Sequence, residues 1–354
     1  MGVSSSGRHA TRAPARFPRQ ASTEEQLAYL LGYAVLAPSG HNTQPWLFDL
    51  HDESIWLTAD PACDLKALDP AGRERIMSCG TALFYLCVAA RHVGIEPIVE
   101  RFPKPYSSNR PEPLARIKLG ASSPPSRETE QVFSAMGRRR THREAFAPTS
   151  VPEADRRALV DTARTEGATL TYVDGRAARR SLQDMVLRAN DRLMSDPNVR
   201  QEMAEWTAGA NDDDGVRGQT RGWSGWQTAA ASVLLDLPLV HLRPWTQEAK
   251  TILTSPVIAI LSTREDTDQD WLRAGEALAH ILLLATSYGL GASFLNQPIK
   301  VPSIRKEVAA LLSAVEVPQM IMRMGVPSVS QPKSARRKPT IRDDDRGTDD
   351  TSPP

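Results

Sequence analysis

Ser39, Asn42 and Gln44 fall close together in the stretch Ala37-Pro38-Ser39-Gly40-His41-Asn42-Thr43-Gln44-Pro45-Trp46. Each side chain donates and accepts hydrogen bonds and stays neutral at physiological pH, which suits a flat ligand with polar edges. A second group follows further along as Arg138-Arg139-Arg140-Thr141-His142-Arg143-Glu144-Ala145-Phe146. In the spacing Arg139-x-Thr141-x-Arg143, two guanidinium forks flank a hydroxyl. That arrangement suits a phosphate, because charge-assisted hydrogen bonds are about twice as strong as neutral ones. Residue types alone leave other uses open: the first stretch also fits a Ser/Asn-rich helix stop, and the second a solvated charge run.

The flanking patterns show how the first stretch is held. Leu27, Leu30, Leu31, Ala34 and Val35 recur at helical spacing over residues 24–36, and Pro38 ends that helix while biasing Ala37 towards an extended conformation. Residues 46–50 and 54–58 flank a polar His51-Asp52-Glu53 and predict a β-hairpin. The three polar side chains therefore sit on a tight loop between a helix and a strand. His41 in that loop has the chemistry of a proton donor, but a loop histidine is more often merely exposed, and no catalytic role is assigned to it.

A weak internal repeat organises the remainder. Gly80, Ala82, Leu83, Leu86, Ala90 and Gly94 align with Gly275, Ala277, Leu278, Ile281, Ala285 and Gly289 at a constant offset of 195 residues. Both segments are helical patterns bounded by glycine, each followed by a strand candidate, residues 95–102 and 292–295. A duplicated fold, with the halves forming an internal copy of a twofold dimer, follows from that reading. The halves join near residues 122–137, where Ser122-Ser123-Pro124-Pro125-Ser126 leads out of a strand candidate at residues 114–119. A further strand pattern at residues 318–325 precedes the basic segment Pro332-Lys333-Ser334-Ala335-Arg336-Arg337-Lys338-Pro339.

Composition removes several function classes. The chain has 354 residues and a formal net charge of +1, so bulk electrostatics make no case for nucleic acid or an anionic membrane. No apolar run reaches the roughly 18 residues of a membrane-spanning helix. Cys63, Cys79 and Cys87 contain no CxxC pair and leave one thiol over, which points to reduced thiols in a cytoplasm. Seven scattered histidines without HxxxH or HExxH spacing give no metal site. Residues 1–21 and 341–354 lack the apolar content to fold and are expected to be disordered tails, leaving one half at residues 22–125 and the other at 126–340.

The run Pro38-Ser39-Gly40-His41-Asn42-Thr43-Gln44-Pro45-Trp46 resembles the flavin-contacting loop of the nitroreductase superfamily, and the wider chain is similar to its Acg branch, in which two nitroreductase-like halves are fused. The resemblance implies an α+β fold with a mixed central sheet flanked by helices, two halves forming a pseudo-dimer, and one FMN between them. It assigns the ring to Ser39, Asn42 and Gln44, and the phosphate and ribityl to Arg139, Thr141 and Arg143, with Thr141 standing where the family has Ser. Which of Arg138, Arg139 and Arg140 fills the first position stays open. Asn296 and Gln297 match the family's second flavin loop, and Arg336 and Arg337 its basic C-terminal pair. The implied activity is hydride transfer from NADH or NADPH through flavin N5 to a nitroaromatic, quinone or similar acceptor, with no catalytic side chain required. The alternative is a non-catalytic FMN-binding or FMN-sequestering protein whose flavin is covered by a lid at residues 207–226. Small-molecule ligands and a monomer mimicking a dimer complete the expectation.

Overall fold

Ser22 and Glu25 open the first helix by capping each other: the Ser22 hydroxyl accepts from the Glu25 amide at 3.2 Å, and the Glu25 carboxylate accepts from the Ser22 amide at 3.0 Å. The computed structural model describes residues 16–108, 110–208, 214–215, 243–313 and 315–342. In chain order the first elements are α1 (Thr23–Ala34), β1 (Trp46–His51), β2 (Ser54–Ala59), α2 (Arg73–His92), β3 (Ile95–Arg101) and β4 (Ala115–Ser122). After α3 (Arg127–Met136) come α4 (Glu153–Thr165), β5 (Thr169–Tyr172), α5 (Arg176–Ser195), α6 (Pro197–Ala208) and α7 (Arg243–Thr254). The chain continues through β6 (Val257–Thr263), α8 (Asp268–Ser287), β7 (Gly291–Phe294), α9 (Gln297–Lys300), α10 (Pro302–Leu311), β8 (Val317–Gly325) and β9 (Ile341–Arg342).

These strands form two sheets rather than one, in the orders β3-β4-β2-β1-β9 and β7-β8-β6-β5. Without β9 the two orders correspond strand for strand, and every pairing among the corresponding strands is antiparallel. In each case a helix lies ahead of the first strand, α1 or α4, and a long helix follows the second, α2 or α8. The chain is thus an α+β protein built from the same topology twice. The halves diverge between their first two strands. Asp52 and Glu53 make a tight turn in the first, at φ 48° and 51°, while α5, α6 and α7 intervene in the second.

The repeat helices α2 and α8 pack against each other in the largest apolar core, which draws on both sheets. They touch at the repeat glycines: a Cβ on Gly80 would overlap the Leu272 carbonyl, and one on Gly275 would overlap the Met77 carbonyl. Gly94 and Gly289 end the two helices at φ 83° and 78°, a left-handed cap that glycine adopts without steric cost.

Two corrections concern the chain ends. Within the segment expected to belong to a leading tail, Phe17 packs edge-on against Tyr29 and Arg19 donates to the Val93 carbonyl at 2.6 Å. At the other end, Ile341 and Arg342 leave the expected tail and pair in parallel with Phe48 and Asp49, which makes the first sheet mixed. The apolar ring of Phe17 and the unpaired edge of β1 supply what composition averaged over those segments concealed. Residues 1–15 and 343–354 lie outside the described residues.

Replacing Gly80 with Ala should force the two helix backbones apart and lower stability by about 1–3 kcal/mol, the usual cost of overpacking. Urea unfolding of the variant beside wild type measures this, and equal midpoints would show that the contact is not tight.

Candidate functional site

The loop after α1 is held against α2 by a series of side-chain bonds. Thr81 donates to the Pro38 carbonyl at 2.6 Å, the Gly40 amide donates to Ser78 Oγ at 3.1 Å, and the Cys79 and Cys63 thiols lie 3.4 Å from the Pro45 and Thr43 carbonyls. Ser39 Oγ closes the turn by accepting from the Gln44 amide at 2.9 Å. Within the turn His41, Asn42 and Gln44 have φ of 48°, 58° and 51°. Left-handed backbone at residues other than glycine costs roughly 1–3 kcal/mol each and persists only where surrounding contacts over-determine it. Here they do.

The C-terminal arm after β8 lies across this loop. Asn42 Nδ2 donates to the Ala335 carbonyl at 3.2 Å, Arg336 Nη1 donates to Asn42 Oδ1 at 2.7 Å, and the Arg337 amide donates to Gln44 Oε1 at 2.9 Å. The Arg337 side chain pairs with Asp214 and reaches the Cys63 sulfur at 3.4 Å. Asn42 and Gln44, expected to face a ring, thus also anchor the arm that carries the basic pair.

The arginine run divides into three separate roles. Arg138 is exposed and turns back to the Ser134 carbonyl at 3.3 Å. Arg140 donates to the Arg139 carbonyl at 2.6 Å. Arg139 is buried and its Nε donates to the Tyr85 hydroxyl on α2 at 3.1 Å, so it is the inward-facing member of the three. The charges of Arg139, Arg336 and Arg140 all bear on Tyr85, although burial outweighs them and keeps its hydroxyl above the usual range. Arg336 is pushed down to about 10 by burial and then by the like charge of Arg139. Among the described residues, Arg139, Arg140 and Arg336 form no ion pair with a carboxylate.

The remaining candidates take backbone-ordering positions. Thr141 bridges to Ala292 at the start of β7, and the His142 amide donates to the Ala292 carbonyl at 2.8 Å. The Arg143 carbonyl accepts from Arg323 Nη2 at 2.6 Å, so buried Arg323 fixes this segment to β8. Asn296 Oδ1 accepts from the Ile321 amide at 3.0 Å and its Nδ2 lies against Met320, while Gln297 is buried at the start of α9. Asn296 and Gln297 are joined to the first loop through Lys300, whose Nζ meets Glu74 at 2.7 Å and the Leu68 carbonyl at 3.2 Å. Glu74 lies under Gly40 and also bonds Arg73 at 3.1 Å. Burial alone would raise the Glu74 carboxyl, but Lys300 and Arg73 outweigh it and hold it below the ordinary range.

Tyr85, Glu74 and Lys300 were not singled out in the sequence. Tyr85 sits in an apolar helix pattern where a phenol reads as core. The adjacent charges Arg73 and Glu74 at the mouth of that helix were the available signal for the buried pair. Of the expected lid at residues 207–226, only 207–208 at the end of α6 and 214–215 fall among the described residues; the rest lies outside them.

The family model described as Nitroreductase family matches residues 136–326. The chain is 30% identical over 317 residues to Rv3131 of Mycobacterium tuberculosis, named as a candidate NAD(P)H nitroreductase, covering 89% of each. To the Acg protein of the same organism, named likewise, it is 29% identical over 311 residues, covering 85% of this chain and 89% of that one. Among solved structures, the NfnB nitroreductase of Mycobacterium smegmatis aligns at a TM-score of 0.37 and 19% identity, covering 56% of this chain and 88% of that one.

Replacing Lys300 with Met removes the closest cation from buried Glu74 and should cost about 3 kcal/mol at neutral pH, as removal of one partner from a buried pair does. Because the folded Glu74 pKa is depressed, the pair's contribution exists above the unfolded carboxyl pKa and is lost as pH falls through the folded one. The gap between wild type and variant should therefore narrow below about pH 4. Urea midpoints across pH measure it, and a gap that does not change with pH would count against the pair.

Proposed function

The chain belongs to the nitroreductase family, and from that premise we propose that it is an FMN-dependent NAD(P)H oxidoreductase with one FMN at the junction of its halves. The observation that carries this reading is the convergence of three elements on Tyr85 and the Ser39–Gln44 turn: the buried Arg139, the arm residue Arg336 and the strained loop itself. A donor-rich cluster of guanidinium groups, with no carboxylate paired to it among the described residues, fits a phosphate, and the neutral loop fits the edge of a ring. When bound, the flavin supplies the redox chemistry, taking hydride from NADH or NADPH at N5 for a nitroaromatic, quinone or similar acceptor.

The protein's own work is binding and orientation. Arg139, Arg140 and Arg336 neutralise the phosphate, with Thr141, Arg143 and Arg337 bordering them. Asn42 keeps one amide hydrogen beyond the one it gives Ala335, and with Ser39 and Gln44 it presents neutral groups to ring carbonyls. Asn296 and Gln297 approach from the second half. We take the halves to join between residues 125 and 126, after the Pro-rich turn that leaves β4, so that the α2–α8 contact acts as an internal dimer interface.

The repeat itself supports a single site. The position related to Tyr85 by the 195-residue offset is His280, and its ring nitrogens lie 2.8 Å from Glu166 and 3.3 Å from Glu128. Carboxylates there would repel a phosphate where arginines attract one.

A second reading is favoured by two contacts. The Gly215 amide donates to the Asn42 carbonyl at 3.4 Å and Asp214 pairs with Arg337, so these two residues rest on the same loop and arm. That supports a flavin-binding protein whose site is covered against a nicotinamide.

The purified chain should carry, or take up, one FMN. Anaerobic NADH or NADPH should bleach it if the chain turns over and leave it yellow if the site is covered; a chain that takes no flavin ends both readings. Arg336→Met should weaken FMN binding by about 1.5–3 kcal/mol, the range for a hydrogen bond to a charged group. Flavin fluorescence quenching reads the affinity, and an unchanged value would move the phosphate elsewhere.

A further inference from the structure

We propose that Tyr85 is itself a phosphate ligand, contributed by the first half of the chain: its hydroxyl accepts from Arg139 and gives its own proton to a phosphate oxygen. The inference rests on the FMN reading for the identity of the ligand, but not for the anion site itself. Tyr85 is fully buried on α2, and Arg139 is buried with its Nε 3.1 Å from the Tyr85 oxygen. A guanidinium only donates, so this contact uses a lone pair of the phenol and directs its proton elsewhere. No described residue accepts that proton. A buried hydroxyl without an acceptor loses water and gains nothing in return, at a cost of about 1–3 kcal/mol unless something else completes it.

The surroundings select what completes it. Arg139, Arg140 and Arg336 are all felt at the Tyr85 oxygen, and Arg139 and Arg140 also depress Arg336, so positive charges are gathered against their mutual repulsion. Burial keeps the phenol protonated despite them. The charged groups that bear on this oxygen, Arg139, Arg140 and Arg336, are all donors. Among the described residues the phenol proton finds no acceptor, whereas a fully ionised phosphate, all of whose terminal oxygens are acceptors, satisfies each donor. The repeat-related His280 faces Glu166 and Glu128 instead, so the donor-only environment is particular to the Tyr85 position and is not a general property of the fold.

Tyr85→Phe removes only the hydroxyl. With inorganic phosphate, FMN and riboflavin as probes, the variant should bind FMN and phosphate about tenfold or more weakly and riboflavin unchanged. Equal FMN and phosphate affinity in variant and wild type overturns the proposal, and so does an equal loss for FMN and riboflavin, which would mark a packing role. If the wild-type chain binds inorganic phosphate but no flavin, the FMN reading fails, and Tyr85 is then judged by the loss of phosphate affinity alone. A wild-type chain that binds neither overturns both. Should Tyr85→Phe fail to fold, 3-fluorotyrosine at position 85 serves instead: its fluorine resonance should shift on phosphate addition, and a stationary resonance overturns the assignment.

Discussion

Helices α2 and α8 meet where neither has a side chain. At Gly80 and Gly275 each backbone fills the space a Cβ would need on the other, so the helices pack at a distance that larger residues would prevent. Interiors are close-packed and transmit such constraints, so this distance sets how near the two sheets and their connecting loops come. Tyr85 lies about one and a half turns beyond Gly80 on the same helix, and Arg139 leaves α3, which packs on both central helices. The Tyr85–Arg139 bond therefore inherits its geometry from a glycine contact.

Fusion of the halves in one chain allows them to differ. A twofold dimer of identical subunits must place the same residues at both related positions. Here one position holds Tyr85 among arginines and the other His280 between carboxylates. The C-terminal arm breaks the symmetry further. It leaves β8 of the second sheet, lays Arg336 and Arg337 on the first-half loop, and ends as β9 on the edge of β1. That short parallel pairing covers a strand edge that would otherwise expose its backbone groups.

Much of the fold was readable because it depends on local pattern. The hairpin around Asp52 and Glu53, the glycine-bounded helices and the constant offset all rest on periodicities of two and 3.6 residues and on left-handed glycine caps. The division into two sheets was less readable, since pairing partners are far apart in sequence. In the site, hydrogen-bonding capacity marked Ser39, Asn42 and Gln44 as a group, but capacity does not say what uses it, and Asn42 and Gln44 spend part of theirs on the arm. Arg138, Arg139 and Arg140 look alike in sequence. Only the end of α3 distinguishes them, turning Arg138 outward and Arg139 inward. Tyr85 was hidden because an amphipathic phenol in an apolar helix has the same signature as core.

The energetics of the site point one way. Three left-handed residues and a buried phenol with no acceptor among the described residues each oppose folding by an amount on the order of 1–3 kcal/mol, and the repulsion between Arg139, Arg140 and Arg336 adds to it. Burial of α2 and α8 in a core shared by both sheets offsets those costs, so the site's strain is supported by apolar packing some distance away. On the proposed reading a phosphate would relieve the repulsion and complete the phenol, so part of its affinity would come from relieved repulsion rather than new contact. By linkage the same ligand must then stabilise the folded chain, by about 2.7 kcal/mol at a hundredfold excess over its dissociation constant. The arm would share in that gain, because Arg336 belongs to the charge cluster and holds Asn42 at the same time. On the same reading, binding of the anion and docking of the arm would be one equilibrium, and a change in either would appear in the other.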